Sequence, residues 1–304
     1  MKNNKFIPHS RPLLGTAEVS AAMRVIKSGL LAQGEQVRAL ERAAARFVGV
    51  RYGIAASSGT AALYLGLKAL GVSPGQEVII PSYVCAALWQ AVKFCGAQPV
   101  LADSDPATFN LDADSVKAAL SAKTAAIIAP HMFGLPLDVR ELKRFGVPVM
   151  EDCAQALGAK IAGRSVGSFG EAAVLSFYAT KLLAAGEGGL LLSKNAAVSR
   201  RALSLREYDE QPLGEPRLNF KLTDLQAAIA RVQLGRLRGF IAKRAAVAAL
   251  YDKNLRDLGV GLPLKVPGRV YQRYVVSLPK GCDAGNFELR MRKLGVGARR
   301  PVFR

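Results

Sequence analysis

Apolar and polar positions divide the middle of the chain into alternating short strands and helices. Thr60 to Leu70 has helical spacing, with Leu63, Leu67 and Leu70 on one face, and Gly71 ends it. Val78-Ile79-Ile80 is a continuous apolar run stopped by Pro81 and predicts a strand; Cys85 to Cys95 predicts a helix. Further strands are expected at 99–102, 125–129, 147–150 running into Glu151-Asp152, 172–177 and 189–192. Helices are expected from Leu111-Asp112 to about Ala122 and from Asp138 to Phe145. Apolar strands separated by helices imply an α/β fold: a mostly parallel sheet covered on both faces. Such sheets bind ligands at the carboxyl ends of their strands.

Beyond Thr223 a long helical pattern runs to about Leu258, followed by a short segment, including Tyr274-Val275-Val276-Ser277, that reads as β-rich. The chain therefore divides into a large domain, 1–240, with an N-terminal arm, and a partial, smaller α+β domain, 241–304. No terminal helix is expected to close that second lobe. No stretch approaches the roughly 18 apolar residues of a membrane span, and the first residues lack the features of a secretory signal. A cytoplasmic protein is expected.

Charge changes the picture only for the second lobe. The net charge is +19, and residues 231–304 carry 17 Lys/Arg against 4 Asp/Glu. That lobe attracts anions or is simply a solvated basic face; no nucleic-acid-binding motif accompanies it. The four cysteines, Cys85, Cys95, Cys153 and Cys282, form no C-x-x-C pair, and the only histidines are His9 and His131. Reduced thiols and no metal site are expected.

Three strings carry chemistry. Ser57-Ser58-Gly59-Thr60 opens a helix, where unpaired N–H groups and the helix dipole suit a phosphate; ordinary serine capping explains the same residues. Asp152 closes a buried strand, where a carboxylate needs a cation such as a protonated pyridine nitrogen, or is a helix cap. Lys181 lies beyond Ser176, before Gly186-Glu187-Gly188-Gly189, as an amine nucleophile or a surface lysine. Together they supply what a pyridoxal 5'-phosphate (PLP) enzyme needs: a phosphate cup, a pyridinium partner and a Schiff-base lysine.

The chain resembles the DegT/StrS-type sugar aminotransferases, PLP enzymes of the type I, aspartate-aminotransferase fold. The matching stretches include Ser58-Gly59-Thr60-Ala61-Ala62-Leu63, Gly75 to Tyr83, His131-Met132-Phe133-Gly134, Glu151-Asp152-Cys153-Ala154-Gln155-Ala156, Ser176-Phe177 to Lys181, and Asn219 to Ala228. The resemblance implies a three-layer large domain and amino transfer from an amino acid, glutamate, to a nucleotide-linked keto-sugar. It implies that Lys181 carries the cofactor, Asp152 binds its ring nitrogen, Gln155 contacts the ring or its phenolic oxygen, and Ser58, Gly59, Thr60 and Ser176 hold the phosphate. Asn219 would reach the cofactor of a neighbouring subunit, so a homodimer is expected. An aromatic from Tyr83 to Trp89 would cover the ring; Cys85 stands where relatives often have an aromatic, and Trp89 is the substitute. His131 is either structural or part of the site. Cysteine desulfuration, or PLP binding without turnover, are the competing activities.

Overall fold

The computed structural model describes residues 6–209 and 214–302. Its centre is a seven-stranded sheet in the order β1 (Tyr52–Ala56), β9 (Gly189–Ser193), β8 (Ala172–Ser176), β5 (Val149–Asp152), β4 (Thr124–Pro130), β2 (Glu77–Pro81) and β3 (Gln98–Ala102). The five strands from β8 to β3 are parallel to one another, and β9 alone runs antiparallel to both its neighbours. A two-stranded hairpin, β6 (Lys160–Ile161) and β7 (Arg164–Ser165), lies apart.

Alternate strand residues feed opposite layers. On one face Ala55, Leu175, Leu190 and Leu192 meet Val37 and Leu40 of α2 (Glu35–Val48) and Leu234 and Leu237 of α8 (Asp224–Leu255). The same face, further along, packs Ile79, Ile127 and Val149 against α5 (Ala113–Ala119) and α6 (Arg140–Lys143). On the other face Ile54, Ile80, Ile128 and Leu191 meet α3 (Gly59–Ala69), α4 (Ala87–Phe94) and α7 (Ala196–Leu205). Each buried Leu or Ile contributes about 1.5–3 kcal/mol. Helix α1 (Thr16–Ser28) packs on α8.

Two carboxylates fix the N-terminal helices to α8. Asp224 accepts the N–H groups of Gly34 (2.8 Å), Gln36 (3.1 Å) and Val37 (2.9 Å), capping α2 from a residue 190 positions later. Buried Glu18 of α1 accepts Gln233 Nε2 (2.6 Å) and Arg236 Nη1 (2.5 Å) from α8.

The second lobe differs from the sequence reading. Tyr274 to Ser277 is no strand; only Ser277 pairs, in a single bridge to Gly261. The tyrosines there are held by side chains instead: Tyr274 OH donates to Asp252 (2.7 Å), and its ring packs against Tyr251 and Tyr271. A helix near the end, α9 (Ala284–Lys293), capped by Asp283, also replaces the expectation of none. Helix α8 runs unbroken through residue 240. Among the described residues no helix is long and apolar enough to cross a membrane.

Candidate active site

The carboxyl edge of the parallel strands brings the three strings together. Pro130 of β4 is in register with Asp152 of β5, which is in register with Val174 of β8. Asp152 therefore ends its strand level with the last residues of β8, and Ser176 follows two positions on. Asp152 is 8% exposed, and its carboxylate accepts one hydrogen bond, from the Ala154 N–H at 2.9 Å. Burial pushes this carboxyl above its ordinary range; the Ala154 bond and the charge of Lys181 pull against it. A buried carboxylate with so few donors is a receptor for a cation.

Lys181 lies in the turn that leaves β8, its N–H bonded to the Tyr178 carbonyl at 2.9 Å. It is half-buried and within electrostatic reach of both Asp152 and Cys85. Cys85, on the loop between β2 and α4, thus also faces Asp152.

The string expected to hold a phosphate opens α3. Ser58 caps the helix, its Oγ accepting the Ala61 N–H at 3.0 Å. The N–H groups of Gly59 and Thr60 have no partner among the described residues, so two donors at a positive helix end stay open to an anion. A Cβ on Gly59 would stand 3.0 Å from the Ser176 Cβ, a tight contact that Ser176 would have to relieve. Gly189 closes the other side; its missing Cβ would lie 2.3 Å from the Ser58 carbonyl oxygen. Sequence reading found Ser58, Gly59, Thr60 and Ser176 but took Gly189 only as part of the glycine-rich turn after Lys181; its contact with Ser58 is visible only in three dimensions.

Gln155 follows Asp152 by three residues, and its Oε1 takes the Phe133 N–H at 3.2 Å. Phe133 has φ 54°, a strained conformation for a bulky residue, and this bond helps to hold it. The Gln155 amide nitrogen has no partner among the described residues. Asn219 is exposed, its Oδ1 accepting the Lys221 N–H at 3.3 Å, while the next residue, Phe220, accepts the Ser57 N–H at 2.7 Å. Trp89 stands on the outer side of α4, 43% exposed and under the Lys93 ammonium at 5.8 Å. Among the described residues no contact joins it to Asp152 or Lys181.

His131 has a defined place. It is fully buried, and Nδ1 accepts the Leu137 N–H at 2.9 Å. The ring hydrogen therefore sits on Nε2, which donates to Glu151 Oε2 at 3.0 Å. Glu151 Oε2 also accepts the Gly167 N–H (2.7 Å), and its Oε1 accepts those of Phe169 (2.8 Å) and Gly170 (2.7 Å). Burial raises the Glu151 carboxyl, but the bonds from His131 and these amides outweigh it and leave it below its ordinary value. His131, Glu151 and Cys153 are close enough to suggest metal ligands; four donors already saturate Glu151, and both His131 nitrogens are engaged.

The sequence profile of the DegT/DnrJ/EryC1/StrS aminotransferase family matches residues 12–300. This chain belongs to that family. It is accordingly a PLP-dependent aminotransferase of the sugar-aminotransferase type, with the type I fold. Among similar solved structures is the aminotransferase TlmJ from Streptoalloteichus hindustanus, 33% identical, with a TM-score of 0.91 over 96% of this chain and 83% of that one. DesV of S. venezuelae, solved in complex with a ketimine intermediate, is 31% identical, with a TM-score of 0.86 over 92% and 77%. DesI, solved in the presence of its TDP-sugar product, is 30% identical, with a TM-score of 0.91 over 98% and 79%. The residues present fit PLP: open amides and a close glycine for its phosphate, a buried unpaired carboxylate for its ring nitrogen, and a lysine alongside.

Proposed function

We propose that this protein transfers an amino group from an amino acid, glutamate, to a keto-sugar carried on a nucleoside diphosphate. The observation that carries the site assignment is the meeting of Asp152 and Lys181 at the carboxyl edge of one sheet. The acceptor class is supported by likeness to DesI, whose structure was solved with a TDP-sugar, and by the basic second lobe.

PLP, when bound, supplies an electron sink for the donor's α-carbon. The protein's part is division of labour. The amides of Gly59 and Thr60, with the hydroxyls of Ser58, Thr60 and Ser176, hold the phosphate. Asp152 keeps the proton on the ring nitrogen, and a cation there returns its carboxyl to the ionised state that burial disfavours. Gln155, whose Oε1 accepts the Phe133 N–H, would contact the cofactor ring or its phenolic oxygen. The Lys181 amine would carry the cofactor and would move a proton at the donor's α-carbon. Exposed Asn219 reaches the phosphate of a partner subunit, making a homodimer the active unit. The outward indole of Trp89 supports no assignment. Residues 1–240 serve as the cofactor domain and 241–304 as a smaller substrate-side lobe. Four free thiols accord with a cytoplasmic setting.

The test is spectroscopic. Glutamate added to the PLP-loaded protein should bleach the cofactor's visible band, and a nucleotide keto-sugar should restore it. Borohydride trapping should label Lys181. A band indifferent to every amino acid, or a label elsewhere, would end this reading.

A further inference from the structure

The parallel strands have two ends, and the cofactor residues use only one. At the other end, the residues that precede β8 and follow β9 border a cavity of about 400 Å³. Four cations, Arg140, Lys143, Arg164 and Lys194, line it around Phe169. Because β9 runs antiparallel to β8, it begins at Gly189 beside Ser58 and ends away from the cofactor edge. Lys194 lies five residues beyond Gly189, roughly 16 Å away at the strand rise of about 3.3 Å per residue. A molecule held at the start of α3 does not fill this cavity.

The floor of the cavity is rigid. The N–H groups of buried Phe169 and of Gly170 both end on Glu151, at 2.8 and 2.7 Å. The Arg164 guanidinium lies over the Phe169 ring at 4.5 Å, and that of Arg140 at 5.9 Å, so one ring orients two cations. Lys194 Nζ donates to the Ser168 carbonyl at 2.7 Å, and Lys143 Nζ to the Phe169 carbonyl at 3.1 Å. All four side chains are thus gathered on one short turn.

Their charges do not balance. Arg140 pairs with Asp138, and Lys143 with Glu171. Glu171 is shared, since its other oxygen accepts the Val149 N–H at 2.8 Å. Arg164 and Lys194 have no carboxylate within ion-pair distance among the described residues. Arg164 makes no side-chain hydrogen bond there either, so its planar fork is open. Four cations against two carboxylates leave two positive charges in excess in one concave site. A concave site of one sign concentrates counter-ions. An open guanidinium fork and a lysine ammonium are the groups that hold phosphate oxygens. The volume falls in the range of small-molecule pockets, and two linked phosphates match both the space and the charge better than one.

We propose that this cavity is a second anion site, separate from the cofactor site, that binds a diphosphate group, free or carried on a nucleoside. The assignment stands without the aminotransferase reading, because no residue that lines the cavity serves the cofactor.

The test is calorimetric titration of the PLP-loaded protein, so that the cofactor site is filled, at constant ionic strength. Inorganic diphosphate and uridine diphosphate are titrated separately. Arg164→Gln, Lys194→Gln and the double variant are compared with Lys253→Gln, which removes an exposed charge on α8 outside the cavity lining. Inorganic diphosphate should bind saturably to the wild type. Loss of one charge-assisted bond predicts a rise of about 10-fold in Kd for each single variant, and about 100-fold for the double variant. Lys253→Gln should leave Kd unchanged. In the wild type, diphosphate should also slow the acetylation of Lys143 and Lys194 by acetic anhydride, read by mass spectrometry, a measurement that needs no variant. Equal affinity for the two ligands would assign the diphosphate alone as the recognised group. Tighter uridine diphosphate, with the same dependence on Arg164 and Lys194, would add the nucleoside; both results uphold the site. No saturable binding of inorganic diphosphate, an equal loss in Lys253→Gln, or binding that neither Arg164→Gln nor Lys194→Gln weakens overturns it.

Discussion

Glu151 offers the most demanding quantitative test. Each of its oxygens accepts two donors: His131 Nε2 and the Gly167 N–H on Oε2, and the Phe169 and Gly170 N–H groups on Oε1. Glu151→Gln preserves shape but replaces one oxygen with a donor. Whichever way the amide lies, two buried donors then face an NH₂ group. His131 cannot relieve this by changing tautomer, because Nδ1 is already taken by the Leu137 N–H. Each orphaned buried donor costs about 1–3 kcal/mol, so the substitution should cost about 2–6 kcal/mol. Glu151→Ala orphans all four and should cost more still. Urea denaturation of the cofactor-free protein, followed by circular dichroism, measures both. A Glu151→Gln loss below about 1 kcal/mol would refute the picture of a saturated carboxylate. The pH dependence gives a second check. The folded carboxyl lies below its ordinary value, so its stabilisation is fully present above the unfolded value and is lost as pH falls through the folded one. The wild type should therefore lose stability on that acid limb more steeply than Glu151→Gln.

Other substitutions separate cofactor binding from folding. Asp152→Asn removes a buried charge, and the cofactor-free protein should melt no lower than wild type near neutral pH, while PLP affinity falls about 10- to 100-fold in a fluorescence titration. Gly189→Ala drives a Cβ to 2.3 Å from the Ser58 carbonyl oxygen; equilibrium dialysis should show PLP binding impaired through displacement of the α3 start. Arg206→Met removes the cation hydrogen-bonded to partly buried Glu41 at 2.8 Å, and should lower stability by about 3–5 kcal/mol in a denaturation experiment.

Much of the sheet was legible because β2, β4, β5, β8 and β9 are short apolar runs with clear stops. The cofactor residues were legible for a related reason: each string is local, and strand ends fall where such sheets bind ligands. What escaped was what distant residues supply. Helix α2 has only Gly34 at its cap, and its amides are satisfied by Asp224, so nothing nearby announces its start. β1 reads Tyr-Gly-Ile-Ala-Ala, too weakly apolar to stand out. Helices α5 and α6 came out shorter than their patterns, at Ala113–Ala119 and Arg140–Lys143. Around Tyr274 the alternation mimics a strand, yet the tyrosines cluster with one another and with Asp252. In sequence His131 stood between a structural role and a place in the site, because its partners, Glu151 and Leu137, are defined only by the fold.

The Asp224 carboxylate carries a consequence for the order of synthesis. The N-terminal turn of α2 gains three of its hydrogen bonds only when a residue 190 positions downstream arrives. At about 5–20 residues per second, a ribosome needs on the order of 10–40 s to travel that far, and longer for α8 to clear the exit tunnel. Until then the nascent chain holds α1 and α2 without their docking surface. The βα units from β2 to β9 can assemble in that interval, with the opening helices seated last.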